Sequence, residues 1–167
     1  MPIPTVRQTF FLIAIAALIL TASAYYLQHV EGLNPCYLCI TQRVFVMLFG
    51  AIALIGALHN PGPTGIRVYA VLCDLAALGG AFFAGKQLWL QSLPEDQVPA
   101  CGLPADVVFD YLETSEALAM FFKGDGNCAE VQWTLLGISI PGWAMVGFVV
   151  VAALSTWQFV RAGQVKK

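Results

Sequence analysis

The chain has 167 residues, of which 59% are hydrophobic and only 11% are charged. A typical soluble domain carries about 25% charged residues, so this composition argues against a single soluble core and indicates an integral membrane protein. The net charge of -2 comes with no basic run and no repeat, which argues against a nucleic-acid partner.

Four apolar segments are long enough to cross a bilayer, which takes about 20 residues of helix. They are continuous rather than alternating in polarity, and this favours helices over a β-barrel. The sequence therefore predicts an all-α integral membrane protein, a four-transmembrane-helix bundle that forms one membrane domain over residues 1–167. The predicted spans are about 10–27, 40–58, 66–90 and 138–160, and a long loop, about 91–139, joins the third to the fourth.

The first apolar segment resembles a signal peptide, because Arg7 precedes it and Ala22-Ser23-Ala24 follows the pattern of a cleavage site. The apolar core of a signal peptide is about 7–15 residues long. This segment is longer, and further spans follow it. We therefore interpret it as the first transmembrane helix.

Charge is distributed unequally between the two ends of the predicted bundle. Four spans place both termini on one side, together with the short loop between the second and third spans. That side carries five basic residues and no acid: Arg7, Arg67, Arg161, Lys166 and Lys167. The other side carries Arg43, Lys86 and Lys123 with every acidic residue except Asp74. The positive-inside rule then predicts cytoplasmic termini and an outward-facing long loop, on the side where disulfides persist in bacteria.

A CxxC, Pro35-Cys36-Tyr37-Leu38-Cys39, stands where the second apolar segment begins. The loop that Cys36 and Cys39 enclose is minimal, and a disulfide stabilises a fold more when its loop is long. A thiol pair of this kind favours redox chemistry. Its position at the edge of the bilayer indicates exchange of electrons with something dissolved in the membrane.

The other three cysteines are spread along the chain. Cys101 and Cys128 bracket a long part of the outer loop, and a structural bridge between them is one interpretation. Zinc is a further alternative, but a zinc site is typically built from two close pairs, and only Cys36 and Cys39 are close. Cys73 lies within the third span, where a small buried apolar role is expected.

Arg43 follows Cys39 by four residues and Cys36 by seven, a spacing that places all three on one face of a helix. A fixed cation there would stabilise a Cys39 thiolate and an anionic electron acceptor beside it. The alternative is an interfacial arginine that extends toward the headgroups.

Residues 105–122 follow an amphipathic pattern and predict one helix lying on the membrane surface. Its apolar positions are Val108, Tyr111, Leu112, Leu118, Ala119 and Phe122, and its acidic ones include Asp106 and Asp110. A flexible loop with a partly ordered helix is the alternative. In the third span, we expect Asp74 either to form a structural pair with Arg67 or to lie near the helix end, and we expect close helix packing at Gly79 and Gly80.

Two stretches of the chain resemble a known family. Cys36-Tyr37-Leu38-Cys39-Ile40-Thr41-Gln42-Arg43 resembles the CxxCxxxR segment of the DsbB family, bacterial inner-membrane proteins that form disulfides. Asn127-Cys128-Ala129-Glu130-Val131-Gln132-Trp133, with Leu136-Gly137 and Pro141-Gly142-Trp143, is similar to its CAExxW…LG…PxW stretch. The resemblance covers nearly the whole chain.

The resemblance implies a protein-dithiol:quinone oxidoreductase of the bacterial inner membrane. Such an enzyme reoxidises a DsbA-like periplasmic thiol oxidase and passes the electrons to ubiquinone, or to menaquinone under anaerobic conditions. It implies redox disulfides Cys36–Cys39 and Cys101–Cys128 and no metal. Reduced DsbA would attack Cys101, and the released Cys128 would attack Cys36.

The same resemblance implies that Cys39, freed as a thiolate, delivers electrons to a quinone held by Arg43. Some relatives carry a histidine near the outer end of the third helix. This chain has Lys86 and Gln87 in that region, and we expect one of them to contact the quinone instead. Two rival hypotheses are a thiol enzyme that supplies reductant outward and a non-enzymatic membrane protein with a stapled loop.

Overall fold

The computed structural model describes residues 4–105 and 107–163, and within them four helices are long and apolar enough to cross a membrane. The predicted four-helix membrane fold is thereby confirmed. Lys166 and Lys167, which entered the charge argument, and Asp106 of the outer loop lie outside the described residues. The four helices are α1 (Val6–His29), α2 (Tyr37–His59), α3 (Pro63–Gln91) and α6 (Ile140–Arg161).

Local signals place the helix ends a few residues outside the apolar runs. The backbone N–H of Gln8 donates to Thr5 Oγ1 at 3.3 Å, and the backbone N–H of Thr5 donates to Gln8 Oε1 at 2.8 Å. This capping box starts α1. Asn60, with φ of 45°, ends α2 in the left-handed conformation, and Pro63 starts α3 in the first-turn position that proline favours.

The last membrane helix begins two residues later than the predicted boundary near residue 138. Two short strands, β1 (Thr134–Leu135) and β2 (Ile138–Ser139), pair antiparallel immediately before it. The turn between them, Leu136-Gly137, has positive φ at both positions, the form that suits a two-residue hairpin. Hydropathy alone could not separate Ile138 from the helix, because an apolar strand residue extends the same apolar run.

The bundle is open along one side. The helix α2 packs along α1 and α3, α3 packs along α6, and α1 and α6 touch only slightly. Gly79 and Gly80 allow the close approach expected of them, since a Cβ at either position would collide with the ring of Phe45 or Phe148. The apolar core therefore draws on all four membrane helices, with Phe10, Ile13 and Ala17 contributed by α1, and a gap remains between α1 and α6.

The outer loop contains two short α-helices, α4 (Val108–Tyr111) and α5 (Thr114–Lys123), and two 3-10 turns, Glu95–Gln97 and Gly126–Cys128. The prediction of one continuous helix over 105–122 is wrong, because Leu112 and Glu113 are extended and Glu113 caps α5. The predicted apolar face is divided accordingly. Of the predicted apolar positions, Val108 is buried, whereas Tyr111, Leu118 and Phe122 are exposed.

The expected pairing of Asp74 with Arg67 is also wrong. Thr156 Oγ1 donates to Asp74 Oδ2 at 3.2 Å, while the Arg67 guanidinium lies over the Phe159 ring, 5.7 Å from its centroid. Helical spacing allowed the pair, but α6 offers each group a nearer partner. Cys73 is fully buried in α3, as expected of a small apolar residue.

Candidate redox site at the outer end of the bundle

The two cysteines of the CxxC lie at the first turn of α2. Cys36 is the N-cap residue, with extended backbone and no side-chain capping bond, and Cys39 lies one turn into the helix. The Cys36 S–H donates to Cys39 Sγ at 3.1 Å. A disulfide is about 2.05 Å long, so the two sulfurs need to move only about 1 Å to close one.

All five cysteines lie in the described part of the chain, and none of them is joined in a disulfide. Among the described residues, no group of three or more His, Cys, Asp or Glu side chains is arranged to hold a metal ion.

A cavity opens beside the CxxC, between the outer ends of α1 and α6 and the β1–β2 hairpin. It contains about 1400 Å³ of empty space, including its open mouth. Its walls are mostly apolar, and Trp133, Leu135 and Trp143 form the side nearest the hairpin. Cys36 and Cys39 both line it, so the CxxC borders a mostly apolar space.

Arg43 lines the same cavity, which places it on the face shared with Cys36 and Cys39 that its spacing predicts. Its guanidinium donates to Gln28 Oε1 and, at 3.2 Å, to the carbonyl of Ala24, both on α1. It also lies 5.6 Å from the centroid of the Tyr25 ring. Arg43 therefore ties α1 to α2 at the wall of the cavity.

Lys86 and Gln87 on α3 were both expected to contact the electron acceptor. Of the two, only Gln87 lines the cavity. The Gln87 amide donates to Cys39 Sγ at 3.2 Å and to Cys36 Sγ at 3.4 Å. Gln42 in turn donates to Gln87 Oε1 at 2.7 Å. Lys86 faces the loop instead, where its Nζ donates to the carbonyl of Phe122 at 2.8 Å.

Cys128 is fully buried against the N-terminus of α2. Its sulfur is a second acceptor for the one proton of the Cys36 thiol, as an alternative to Cys39. It also accepts from the backbone N–H of Leu38, one of the N–H groups that a helix N-terminus leaves without a partner in the helix. The bond from Cys36 lowers the pKa of Cys128 below its ordinary value. The same bond, with the one to Cys39, raises the pKa of Cys36. In the contact between these two sulfurs the proton therefore stays on Cys36, and thiolate character is favoured on Cys128.

Cys101 is exposed, and a buried carboxylate connects its segment to Cys128. Asp125 Oδ2 accepts from the backbone N–H of Gly102 at 2.8 Å and from Asn127 Nδ2 at 2.7 Å. The thiol of Cys128 donates to Asp125 Oδ1 at 3.6 Å. Asp125 is only 4% exposed. Its hydrogen bonds connect the segment that carries Cys101 to the segment that carries Cys128.

Side chains of α2 hold this loop over the CxxC. Tyr37 donates to the carbonyl of Leu103 at 2.5 Å, and Thr41 donates to the carbonyl of Phe121 at 2.9 Å. Sequence reasoning missed Gln42, Asp125 and these two anchors. Two sequence signals could have identified these residues. All four lie close to a cysteine in sequence, and Gln42 places an amide within an apolar span.

Comparison with known proteins agrees with this arrangement. The family model for the disulfide bond formation protein DsbB matches residues 6–158. A disulfide bond formation protein B of Saccharophagus degradans is 48% identical over 159 residues, covering 95% of this chain and 96% of the relative. That of Hahella chejuensis is 49% identical over 157 residues, covering 94% and 95%, and disulfide bond formation protein B 1 of Pseudomonas aeruginosa is 42% identical over 161 residues, covering 96% and 99%.

The family model covers α1, α2, α3, the cysteine-bearing loop and α6 as far as Gln158. The chain therefore belongs to the DsbB family of disulfide bond formation proteins.

Proposed function

We propose that this chain oxidises a DsbA-like periplasmic thiol oxidase and passes the electrons to a membrane quinone. The observation that carries the proposal is the spatial order of its four outer cysteines. Cys101 is exposed, Cys128 is buried against Cys36, and Cys39 reaches the membrane-level cavity. A relay in this order leads from water to the bilayer.

The first exchange uses the Cys101–Cys128 disulfide. A partner thiolate attacks Cys101, so that a mixed disulfide forms and Cys128 leaves as a thiolate. The partner's second thiolate then attacks its own sulfur in the mixed disulfide. The partner gains its disulfide, Cys101 leaves as a thiolate, and two electrons remain on Cys101 and Cys128.

The second exchange moves these electrons inward. The Cys128 thiolate attacks Cys36 of the Cys36–Cys39 disulfide, which forms a Cys36–Cys128 bond and releases Cys39 as a thiolate. The Cys101 thiolate then attacks Cys128, which restores Cys101–Cys128 and frees Cys36. The contact between Cys128 and Cys36 supports this step, and the backbone N–H of Leu38 still stabilises the Cys128 thiolate when Cys36 is in the disulfide, since the thiolate is the attacking species.

The residues around Cys39 fit a quinone. A quinone has two carbonyl acceptors on a ring and an apolar tail, and the cavity offers apolar walls with polar donors beside the CxxC. Arg43 would hold the ring, beside the Gln87 amide whose N–H groups meet the sulfurs. A guanidinium carries five N–H donors, so Arg43 can hold α1 and still donate into the cavity. When bound, ubiquinone, or menaquinone in its place, supplies an acceptor for two electrons and two protons that would reoxidise the Cys36/Cys39 dithiol.

We further propose that the protein lies in the bacterial inner membrane with both termini in the cytoplasm. Arg7, Arg67 and Arg161 lie at the end of the bundle opposite the cysteine-bearing loop, and positive charge favours the cytoplasmic side. A membrane-impermeant thiol reagent added to spheroplasts after disulfide reduction should label Cys101. Labelling only after the membrane is broken would contradict this orientation.

The decisive experiment mixes the purified protein with a reduced DsbA-like partner and ubiquinone and follows quinone absorbance. We expect quinone reduction matched by oxidation of the partner. Cys36→Ala should abolish quinone reduction and limit oxidation of the partner to the single equivalent held by Cys101–Cys128, and Cys73→Ala, at a cysteine outside the relay, should leave both intact. Absence of quinone reduction would rule out the proposal. Unchanged function of Cys36→Ala would instead favour a merely stapled loop, and net reduction of the partner would favour the reverse direction.

A further inference from the structure

A pair of buried glutamine amides lies beneath the CxxC. Gln42 on α2 is 5% exposed, and Gln87 on α3 is 3% exposed. Gln42 Nε2 donates to Gln87 Oε1 at 2.7 Å. A buried amide is costly unless its polar atoms are hydrogen-bonded, so each glutamine needs the other.

The pair fixes which end of the Gln87 amide meets the sulfurs. Because Gln87 Oε1 is taken up by Gln42, the Gln87 NH₂ group is directed at Cys39 Sγ, 3.2 Å away, and Cys36 Sγ, 3.4 Å away. Cys39 as a thiol can also donate to Gln87 Oε1, at 3.5 Å. As a thiolate Cys39 is an acceptor only, and the NH₂ group is then the end that stabilises it. If the amide turned over, its oxygen would face a negative sulfur.

We propose that Gln42 is a positioning residue for the redox disulfide, acting through Gln87. It holds the Gln87 amide with its N–H groups on the sulfurs, and this favours the reduced, thiolate-bearing CxxC over the Cys36–Cys39 disulfide. The inference deepens the proposed function and rests on it only in requiring that Cys36 and Cys39 cycle between disulfide and dithiol.

Stabilising the reduced form makes a disulfide a stronger oxidant. In the proposed relay the Cys36–Cys39 disulfide accepts electrons from Cys101 and Cys128, and a more oxidising Cys36–Cys39 pair favours that transfer. An amide has no proton to lose near neutral pH, so its orientation, rather than its protonation, is what the protein controls. That control falls to Gln42, because it occupies Gln87 Oε1.

The test measures the thiol–disulfide equilibrium of the CxxC alone, in the full chain with Cys101 and Cys128 replaced by serine. A reference dithiol reduces the Cys36–Cys39 disulfide and is itself oxidised to a cyclic disulfide, so two electrons pass between them. The ratio of forms is read by alkylation and mass spectrometry. We expect Gln42→Met to lower the equilibrium constant for reduction about tenfold, which is about 30 mV for a two-electron couple.

A double-mutant cycle separates positioning from simple helix packing. If Gln42 acts through Gln87, then Gln42→Met should change the constant by less than about twofold once Gln87→Met is present. An equal effect in both backgrounds, or no effect with Gln87 intact, would overturn the proposal. Gln158→Met is the matched control, because Gln158 is equally buried and donates to the carbonyl of Val6 far from the sulfurs. It should leave the constant unchanged.

Should Gln42→Met fail to fold, Gln42→Glu provides a second variant. A carboxylate keeps the shape and polarity of the side chain but accepts from the Gln87 amide, drawing its N–H groups away from the sulfurs. It should lower the constant at least as far, and an unchanged constant would again contradict the proposal. Since the assay contains neither quinone nor protein partner, its outcome is independent of the quinone-reduction experiment.

Discussion

Replacing Asp125 with asparagine should loosen the loop that carries Cys101 and Cys128. The Asp125 Oδ2 atom accepts two hydrogen bonds, from Gly102 and Asn127. A hydrogen bond to a charged group contributes about 1.5–3 kcal/mol, and one between neutral groups about 0.5–1.5 kcal/mol. With an amide oxygen in the same place, each bond loses about 1 kcal/mol. Because the site is buried, solvent screens little of this, and docking of the loop weakens by about 2 kcal/mol.

Such a change corresponds to about a 30-fold rise in the open population of the loop, since each 1.4 kcal/mol is about tenfold. Cys128 is fully buried in the docked loop, so its alkylation reports opening. In reduced protein, site-resolved mass spectrometry should show Cys128 of Asp125→Asn alkylated about 30-fold faster, in proportion to the open population. The exposed Cys101 should change little.

Glu116→Gln is the matched control, because Glu116 lies exposed on α5 in the same loop and loses the same charge. It should leave the alkylation rate of Cys128 unchanged. If Asp125→Asn also leaves that rate within about twofold of the original, less than 0.5 kcal/mol of docking has been lost. The proposal that hydrogen bonds to Asp125 dock the loop would then be refuted.

Three further outcomes are expected. Arg43→Met should slow quinone reduction at least about tenfold, as one lost charged hydrogen bond implies, whereas Arg43→Lys should retain part of the activity. An equal loss of rate in both variants would show that charge near the cavity is not what matters. Since the bond from Cys36 lowers the pKa of Cys128, Cys36→Ala should shift the midpoint of the Cys128 alkylation profile to higher pH, and an unchanged or lower midpoint would contradict the assignment. Thr41→Val removes the hydroxyl that donates to the carbonyl of Phe121, and limited proteolysis of the outer loop should become about fivefold faster, as about 1 kcal/mol implies; no acceleration would argue against this anchor.

The membrane bundle could be predicted from sequence because each span is a local property of its own residues. Length and hydropathy identify the four helices without knowledge of their neighbours. The spacing of Cys36, Cys39 and Arg43 is equally local, since residues four apart on a helix share a face. All three line one cavity as that spacing predicts.

The rest of the site depends on contacts between distant parts of the chain. Gln42 and Gln87 lie 45 residues apart in sequence, and nothing near either one indicates the other. Lys86 and Gln87 were equivalent candidates from composition, but one position along α3 turns a side chain by about 100°. Lys86 therefore meets the loop while Gln87 meets the sulfurs. The break between α4 and α5 has the same origin, because burial of Val108 and Ala117 against the bundle overrides the regular amphipathic pattern.

The placement of Cys128 explains how the proposed relay avoids direct reduction of the CxxC by soluble thiols. If Cys36 and Cys39 were open to water, a soluble thiol could reduce them directly and bypass the outer pair. Cys36 is only 8% exposed, and the loop held by Tyr37 and Thr41 covers it. Its neighbour on that side is Cys128, whose sulfur is itself fully buried. The proposed relay therefore takes electrons from a soluble partner at the exposed Cys101 and passes them through Cys128, and the contacts that dock the loop keep a soluble thiol away from Cys36.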